Sequence, residues 1–146
     1  MKTDISTTND LETCLALRRR VFIEEQGVSE ADEVDGLDSE AVHLLARVDG
    51  RALGTARLLL RGSSGKIGRV CVLPEARGTG LGVALIKAAL AHFRARGDIR
   101  EARLSAQSHA IGFYERLGFV AEGAEFLDAG IPHLNMRRPV EAQETP

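Results

Sequence analysis

The 146-residue chain has no tryptophan, one tyrosine, four prolines and only two cysteines. Cys14 and Cys71 lie far apart and form neither a C-x-x-C pair nor a metal-ligand spacing, which argues against a zinc site and against a disulfide scaffold. Two buried thiols in a reduced compartment are expected instead. An excess of positive charge is also lacking. Nineteen Lys and Arg stand against 21 Asp and Glu, for a net charge of −2, whereas a nucleic-acid partner calls for a basic surplus. The opening MKTDISTTND holds no apolar stretch of the signal-peptide kind. No run approaches the ~18 apolar residues of a membrane helix. The expectation is a cytoplasmic protein with no nucleic-acid and no membrane partner. Repeats and low-complexity blocks are missing as well. What is present, 44% hydrophobic and 27% charged residues, suits one domain over 1–146 that buries its own core, with 141–146 as a frayed tail.

Hydrophobic spacing orders the elements. Residues 2–7 form a short strand. A helix follows, with Asn9 as N-cap, Glu12 three residues on, and Leu11, Cys14, Leu15, Val21 and Phe22 on one face, ending near Gly27. The acidic stretch 28–40 reads as a loop with at most a helical turn. Alternation in AVHLLARV predicts a strand with Val42, Leu44, Ala46 and Val48 on one face and His43, Leu45 and Arg47 on the other. Asp49-Gly50 turns it into a return strand over 51–61, and a third strand near 66–73 carries Arg69 and Cys71. A helix then runs to Gly97. Strand 101–107, a short helix stopped by Gly118, and two strands near 119–126 and 133–140 about the turn Asp128-Ala129-Gly130 complete the order. The fold class is therefore α/β in the broad α+β sense: a mixed, mostly antiparallel sheet of six to seven strands with helices on both faces.

The stretch Arg77-Gly78-Thr79-Gly80-Leu81-Gly82 lies between a strand and a helix. The first turn of a helix has unpaired N–H groups and a partial positive charge. Glycines let the backbone approach a bulky anion, because no Cβ intervenes. Such a turn suits a phosphate or pyrophosphate, with Arg77 able to add a charge-assisted contact. It is not a P-loop, since no Lys-Ser/Thr follows. It fits a dinucleotide fingerprint poorly, coming after three strands that read as antiparallel.

R-x-x-G-x-G after the strand RVCVLP resembles the acetyl-CoA motif of the GCN5-related N-acetyltransferase (GNAT) superfamily. A second signature also matches: strand 101–107, then A-x-x-F-Y-x-x-x-G-F from Ala110 to Phe119. Further features resemble the ElaA-like subgroup. They are R-x-x-V-F-x-x-E-Q from Arg18, D-x-x-D-x-x-A-x-H at 35–43, Ala106-Gln107, and G-I-P-H at 130–133. The resemblance implies an acyl-CoA-dependent N-acyltransferase that moves an acetyl group from acetyl-CoA, its co-substrate, to a small-molecule or peptide amine by direct attack, without a metal. It implies that amides of Gly78, Thr79, Gly80, Leu81 and Gly82 hold the pyrophosphate, and that the backbone at Cys71 and Val72 pairs with the pantetheine arm. It also leaves a homodimer open.

Direct attack needs a neutral amine, a polarised carbonyl and a proton for the departing thiolate. Tyr114, the only tyrosine, matches the family position whose hydroxyl can reach the sulfur, and is the candidate acid. The base is sought at His43, since an imidazole titrates near neutrality, or at Glu25. Gln26, Asp35 and Asp38 are candidates to line the acceptor pocket, where an acidic wall would suit a cationic amine; the alternative is a solvated acidic loop. Arg57, beside Arg69 on the neighbouring strand, would bind an anionic part of the acceptor or pair with the acidic loop. His109 and His133 are further substrate-binding candidates, each able to act as a base through water. Cys71 is not expected to be a nucleophile. Two other functions compete: a non-enzymatic acyl-CoA sensor that keeps the cofactor site and loses the chemistry, and an acyl-homoserine-lactone-synthase-like enzyme, loosely suggested by R-x-x-V-F with Glu33-x-Asp35-x-x-Asp38.

Overall fold

The computed structural model describes residues 2–141; all but the first residue of the expected tail lies outside them. Seven strands alternate with four α-helices: β1 (Thr3–Thr8), α1 (Leu11–Arg18), α2 (Glu30–Glu33), β2 (Val42–Val48), β3 (Arg51–Arg61), β4 (Ser64–Val72), α3 (Leu81–Arg96), β5 (Glu101–Gln107), α4 (Ile111–Glu115), β6 (Val120–Asp128) and β7 (Ile131–Pro139). The strands follow the order β1-β2-β3-β4-β5-β7-β6. The expected mixed, mainly antiparallel sheet is thus present. The chain divides into two compact units, one built from residues up to Leu59 with Ile67–Ala89, the other from Leu60–Lys66 with Leu90 onward.

In the first unit β1, β2 and β3 form an antiparallel meander in which Thr8 faces His43 and His43 faces Arg57. The turn at Asp49-Gly50 has positive φ at both residues (51° and 83°), the twist that two-residue hairpins require. The middle of β2 is buried on both faces, Leu45 as fully as Leu44, so its alternation does not separate core from solvent. The cap of α1 is Asp10 and not the expected Asn9. Asp10 Oδ1 accepts from the Thr13 amide at 3.2 Å and Oδ2 from the Thr13 hydroxyl at 2.7 Å, and this double contact three residues downstream outcompetes the Asn9–Glu12 box. After Arg18 the helix widens into a π-helical segment, Arg19–Glu25, where the Gln26 amide donates to Val21 O five residues back at 3.1 Å. Gly27, at φ 73°, ends it as expected.

In the second unit β5 pairs with β7 and β7 with β6, all antiparallel. The last hairpin turns on Ala129 and Gly130, so β6 runs two residues further than its spacing suggests. The core gathers Leu90, Phe93, Ile99, Leu104, Phe119 and Met136. Phe93 lies flat on the backbone of Gly65: a Cβ there would come within 2.5 Å of two ring carbons. Gly65→Ala is expected to lower stability by about 1–3 kcal/mol, the cost of overpacking a filled core. Urea unfolding of the variant measures it, and an unchanged midpoint would mean that the ring moves freely.

Candidate active site

The glycine-rich turn begins where β4 ends. Pro74–Ala76 make one 3₁₀ turn and the Thr79 hydroxyl donates to Ala76 O at 2.5 Å. Gly80 O then accepts the first helical bond, from the Ala84 amide at 3.0 Å. The amides that open the 16-residue α3 therefore have no partner within their own helix. Gly78 and Gly80 hold φ of 77° and 88°, and a Cβ on either would meet nothing within 4 Å. Packing does not demand glycine here; backbone conformation and an open approach do. These are the features an anion cradle needs.

Arg77 is employed differently from the expectation. Its two terminal nitrogens donate to the Glu25 carboxylate, both at 2.6 Å, and its Nε to Val72 O at 3.0 Å. It ties the turn to the strand behind it and to the end of the π-helical segment, so its charge is already shared. The same pair removes Glu25 as a ready base, because the Arg77 guanidinium holds its carboxyl below the ordinary value. Gln26 caps that segment and is half-buried.

Three carboxylates of the acidic loop are tied up in ion pairs with arginines, while Glu30, Asp32 and Glu40 stay exposed. Arg18, 1% exposed, donates to Glu33 at 2.8 and 3.1 Å and to Asp38 at 2.7 and 3.2 Å. Arg57 clasps Asp35 at 2.8 and 2.7 Å and reaches Asp38 at 3.3 Å. Arg69 closes the cluster on Glu33 at 3.0 Å and Asp35 at 3.2 Å. It does so from a left-handed backbone, φ 48°, inside β4, a conformation that costs a non-glycine residue about 1–2 kcal/mol. Within this cluster three guanidinium and three carboxylate groups cancel. Arg57 holds the Asp35 carboxyl well below its usual range. Burial would push Asp38 up, but the hydrogen bonds and charge of Arg18, with those of Arg57, outweigh it and bring it down.

His43 anchors this loop. Its Nε2 lies 2.9 Å from Asp38 O. A carbonyl only accepts, so Nε2 carries the proton and Nδ1 is bare. That Nδ1 is buried without a partner, closed to an acceptor, and this corrects the expectation that His43 is the base. Its register partner Arg57 likewise has an unpaired buried Nε.

Both cysteines are free and buried, as expected. Burial pushes the Cys71 thiol up to about 12, which rules it out as a ready nucleophile.

The second unit holds the other candidates. Tyr114, on α4, sets its ring edge-on against Phe113 and Phe119 at centroid distances of 5.0 and 6.0 Å. Burial pushes its phenol up to about 12, so it stays protonated across the neutral range. At the end of β5, Gln107 Oε1 lies 2.7 Å from Nε2 of the exposed His109. Gln107 faces His133 across the β5–β7 pairing, and Phe126 faces it from β6.

The residues that sequence reasoning left without a role are Arg18 and Glu33. The signal was available: Arg18 stands four residues after Cys14 and three before Val21, on the apolar stripe of its helix. A charge there needs partners, and the structure supplies them from Glu33 and Asp38.

A glycine turn that leads into the unpaired amides of a long helix, on a mixed, mainly antiparallel sheet, defines an α/β domain suited to a phosphorylated ligand. Comparison with known proteins makes the class specific. The acetyltransferase (GNAT) domain matches residues 11–139, and the chain belongs to this acetyltransferase family. It is 36% identical over 129 residues to the uncharacterized N-acetyltransferase YjcF of Bacillus subtilis, covering 88% of this chain and 91% of that one. Among solved structures it is similar to an acyl-CoA N-acyltransferase from Pseudomonas aeruginosa, with TM-score 0.84, 37% identity, and 94% and 99% of the two chains covered. It is also similar to Escherichia coli ElaA, with TM-score 0.82, 26% identity and the same coverages. The GNAT and ElaA-like likenesses read from the motifs are thereby borne out. Among the described residues no helix is long and apolar enough to cross a membrane.

Proposed function

We propose that the protein transfers an acetyl group from acetyl-CoA to a small-molecule or peptide amine, by direct attack in a ternary complex in the cytoplasm. The observation that carries this reading is the turn 77–82: glycines at positive φ with open space above them, leading into the unpaired amides of α3. In this reading the amides of Gly78 to Gly82 hold the pyrophosphate, and the backbone of Cys71 and Val72 pairs with the pantetheine arm. Calorimetric titration with acetyl-CoA, beside NAD and S-adenosylmethionine, tests it. Stoichiometric binding of acetyl-CoA alone supports the reading; a folded sample that binds none of the three, or another of them, ends it.

Tyr114 is the proton donor to the departing sulfur. A phenol pushed to about 12 is a weak acid in water, but burial raises a thiol as well, as Cys71 at about 12 illustrates. A thiolate leaving group that is desolvated becomes more basic too, so a phenol can serve it as the acid. Tyr114→Phe keeps the ring packing and removes the hydroxyl. It is expected to lower kcat by about 10²-fold while acetyl-CoA affinity stays within about twofold. A wild-type kcat in this variant would remove Tyr114 from the mechanism.

A further inference from the structure

The proton that the acceptor must lose still needs a base, and four titratable residues are poorly disposed. His43 has its bare nitrogen buried, Glu25 is clasped by Arg77, and Asp35 and Asp38 are bound up with guanidinium groups.

His133 is arranged differently. It is 8% exposed, and its Nδ1 lies 2.6 Å from Ile131 O, two residues back on the same strand. A carbonyl only accepts, so the proton sits on Nδ1 and the lone pair on Nε2. The ring is held from one side by Phe126, stacked at 6.0 Å and 25°. Pro132 precedes it and fixes the backbone through which Ile131 reaches the ring. Tautomer and orientation are therefore both set by the fold, which is how an imidazole is prepared as a base. Unlike Nδ1 of His43, Nε2 of His133 is not among the buried nitrogens without a partner. Strand register and chain connectivity link His133 to the segment that carries Tyr114. Gln107 faces His133 in register, and Gln107 is the last residue of β5, from which the chain runs through Ser108–Ala110 into α4 and Tyr114. The titratable groups gathered there are His109, bonded to Gln107, and Glu125, which accepts from the Ser108 hydroxyl at 2.8 Å.

Resting on the acyltransferase reading, we infer that His133 Nε2 is the general base of the transfer. The acceptor arrives as an ammonium ion, and Nε2 takes its first proton. The freed nitrogen pair forms the N–C bond to the thioester carbonyl. As the C–S bond breaks, sulfur leaves with the bonding pair and takes the phenolic proton of Tyr114. The second proton on the acceptor nitrogen returns to the phenolate. One proton remains on His133 and passes to solvent, which balances an ammonium ion and a thioester against an amide, a thiol and a proton.

His133→Asn isolates the role. The Asn amide nitrogen stands where Nδ1 stands and can still donate to Ile131 O, whereas nothing replaces Nε2. Thiol release from acetyl-CoA is followed against pH with a panel of primary amines and with water as acceptors, alongside calorimetric acetyl-CoA binding. The variant is expected to bind acetyl-CoA within twofold of wild type, to lose at least about 100-fold in kcat, and to lose the ascending limb of the kcat/KM profile. A variant that keeps that limb overturns the inference. So does a wild-type protein that binds acetyl-CoA yet releases thiol with no acceptor faster than buffer does. If wild type binds no acetyl-CoA, the acyltransferase reading itself has failed, which is a separate result. Nitrogen-15 spectroscopy of wild-type imidazoles at pH 8 gives a second measure should the variant not fold: His133 must be the Nδ1–H tautomer, and the Nε2–H form overturns the assignment.

Discussion

Gly80→Asp is expected to weaken acetyl-CoA binding by at least about 100-fold, some 2.7 kcal/mol, while the protein stays folded. Two effects act together. The backbone at φ 88° is one that an L-residue holds only at a cost of about 1–2 kcal/mol, so the turn shifts or strains. Because the space above position 80 is open to at least 4 Å, the new carboxylate occupies the approach that a pyrophosphate would use and repels it. Gly80→Ala separates the two, for it shares the strain without the charge. Its affinity is expected to fall by about tenfold, between wild type and Asp. The stability cost for both is a few degrees in Tm for a chain of this size. Calorimetry on both variants decides, and an Asp variant that binds as wild type does would remove the anion cradle from this turn.

The reason this turn was legible in the sequence is that its constraints are local. Gly78 and Gly80 are needed for their own φ, and α3 starts where the apolar spacing starts. The same holds for β5 and β3, whose bounds coincide with the expected 101–107 and 51–61. Local chemistry also decided where the reading slipped. Asn9 and Asp10 are adjacent capping types, and only the side chain of Thr13 chooses between them. The site residues divide along the same line. His43, Asp35, Asp38 and Arg57 were visible as polar residues in a suggestive pattern. The arginine and carboxylate partners of Asp35, Asp38 and Arg57 lie 19 to 34 residues away in sequence, beyond any periodicity. Whether an acidic loop faces water, a substrate or an arginine depends on which strand lies under it, and spacing along one chain does not encode that. The tautomers of His43 and His133 lie further still from sequence, since each is set by one backbone carbonyl in a folded turn.

The buried arginine–carboxylate cluster is expected to carry a large stability effect. Arg18→Met keeps the length and helix preference of the side chain and removes the charge. Glu33 retains Arg69 and Asp38 retains Arg57, but Glu33 is buried and loses both hydrogen bonds from Arg18, at 2.8 and 3.1 Å, together. Breaking a buried pair from one side costs about 3–5 kcal/mol, which is a large share of the 5–15 kcal/mol that holds an ordinary domain together. The sign of the pH dependence separates this from a packing defect. Asp35 and Asp38 have folded values below the unfolded value of about 3.9. Their contribution is therefore present in full above that value and is lost as pH falls through it toward the folded values. In Arg18→Met the Asp38 carboxyl loses the cation that lowers it most, so less of its stability remains to be lost. The gap between wild type and variant in urea unfolding should be widest near pH 7 and should narrow as pH falls below about 4. A gap of 3 kcal/mol or more that is the same at pH 7 and at pH 3.5 would mean that Arg18 contributes through its packed stem, and a gap under about 1 kcal/mol, the range of surface pairs, would mean that the cluster does not hold the acidic loop to the strands beneath it.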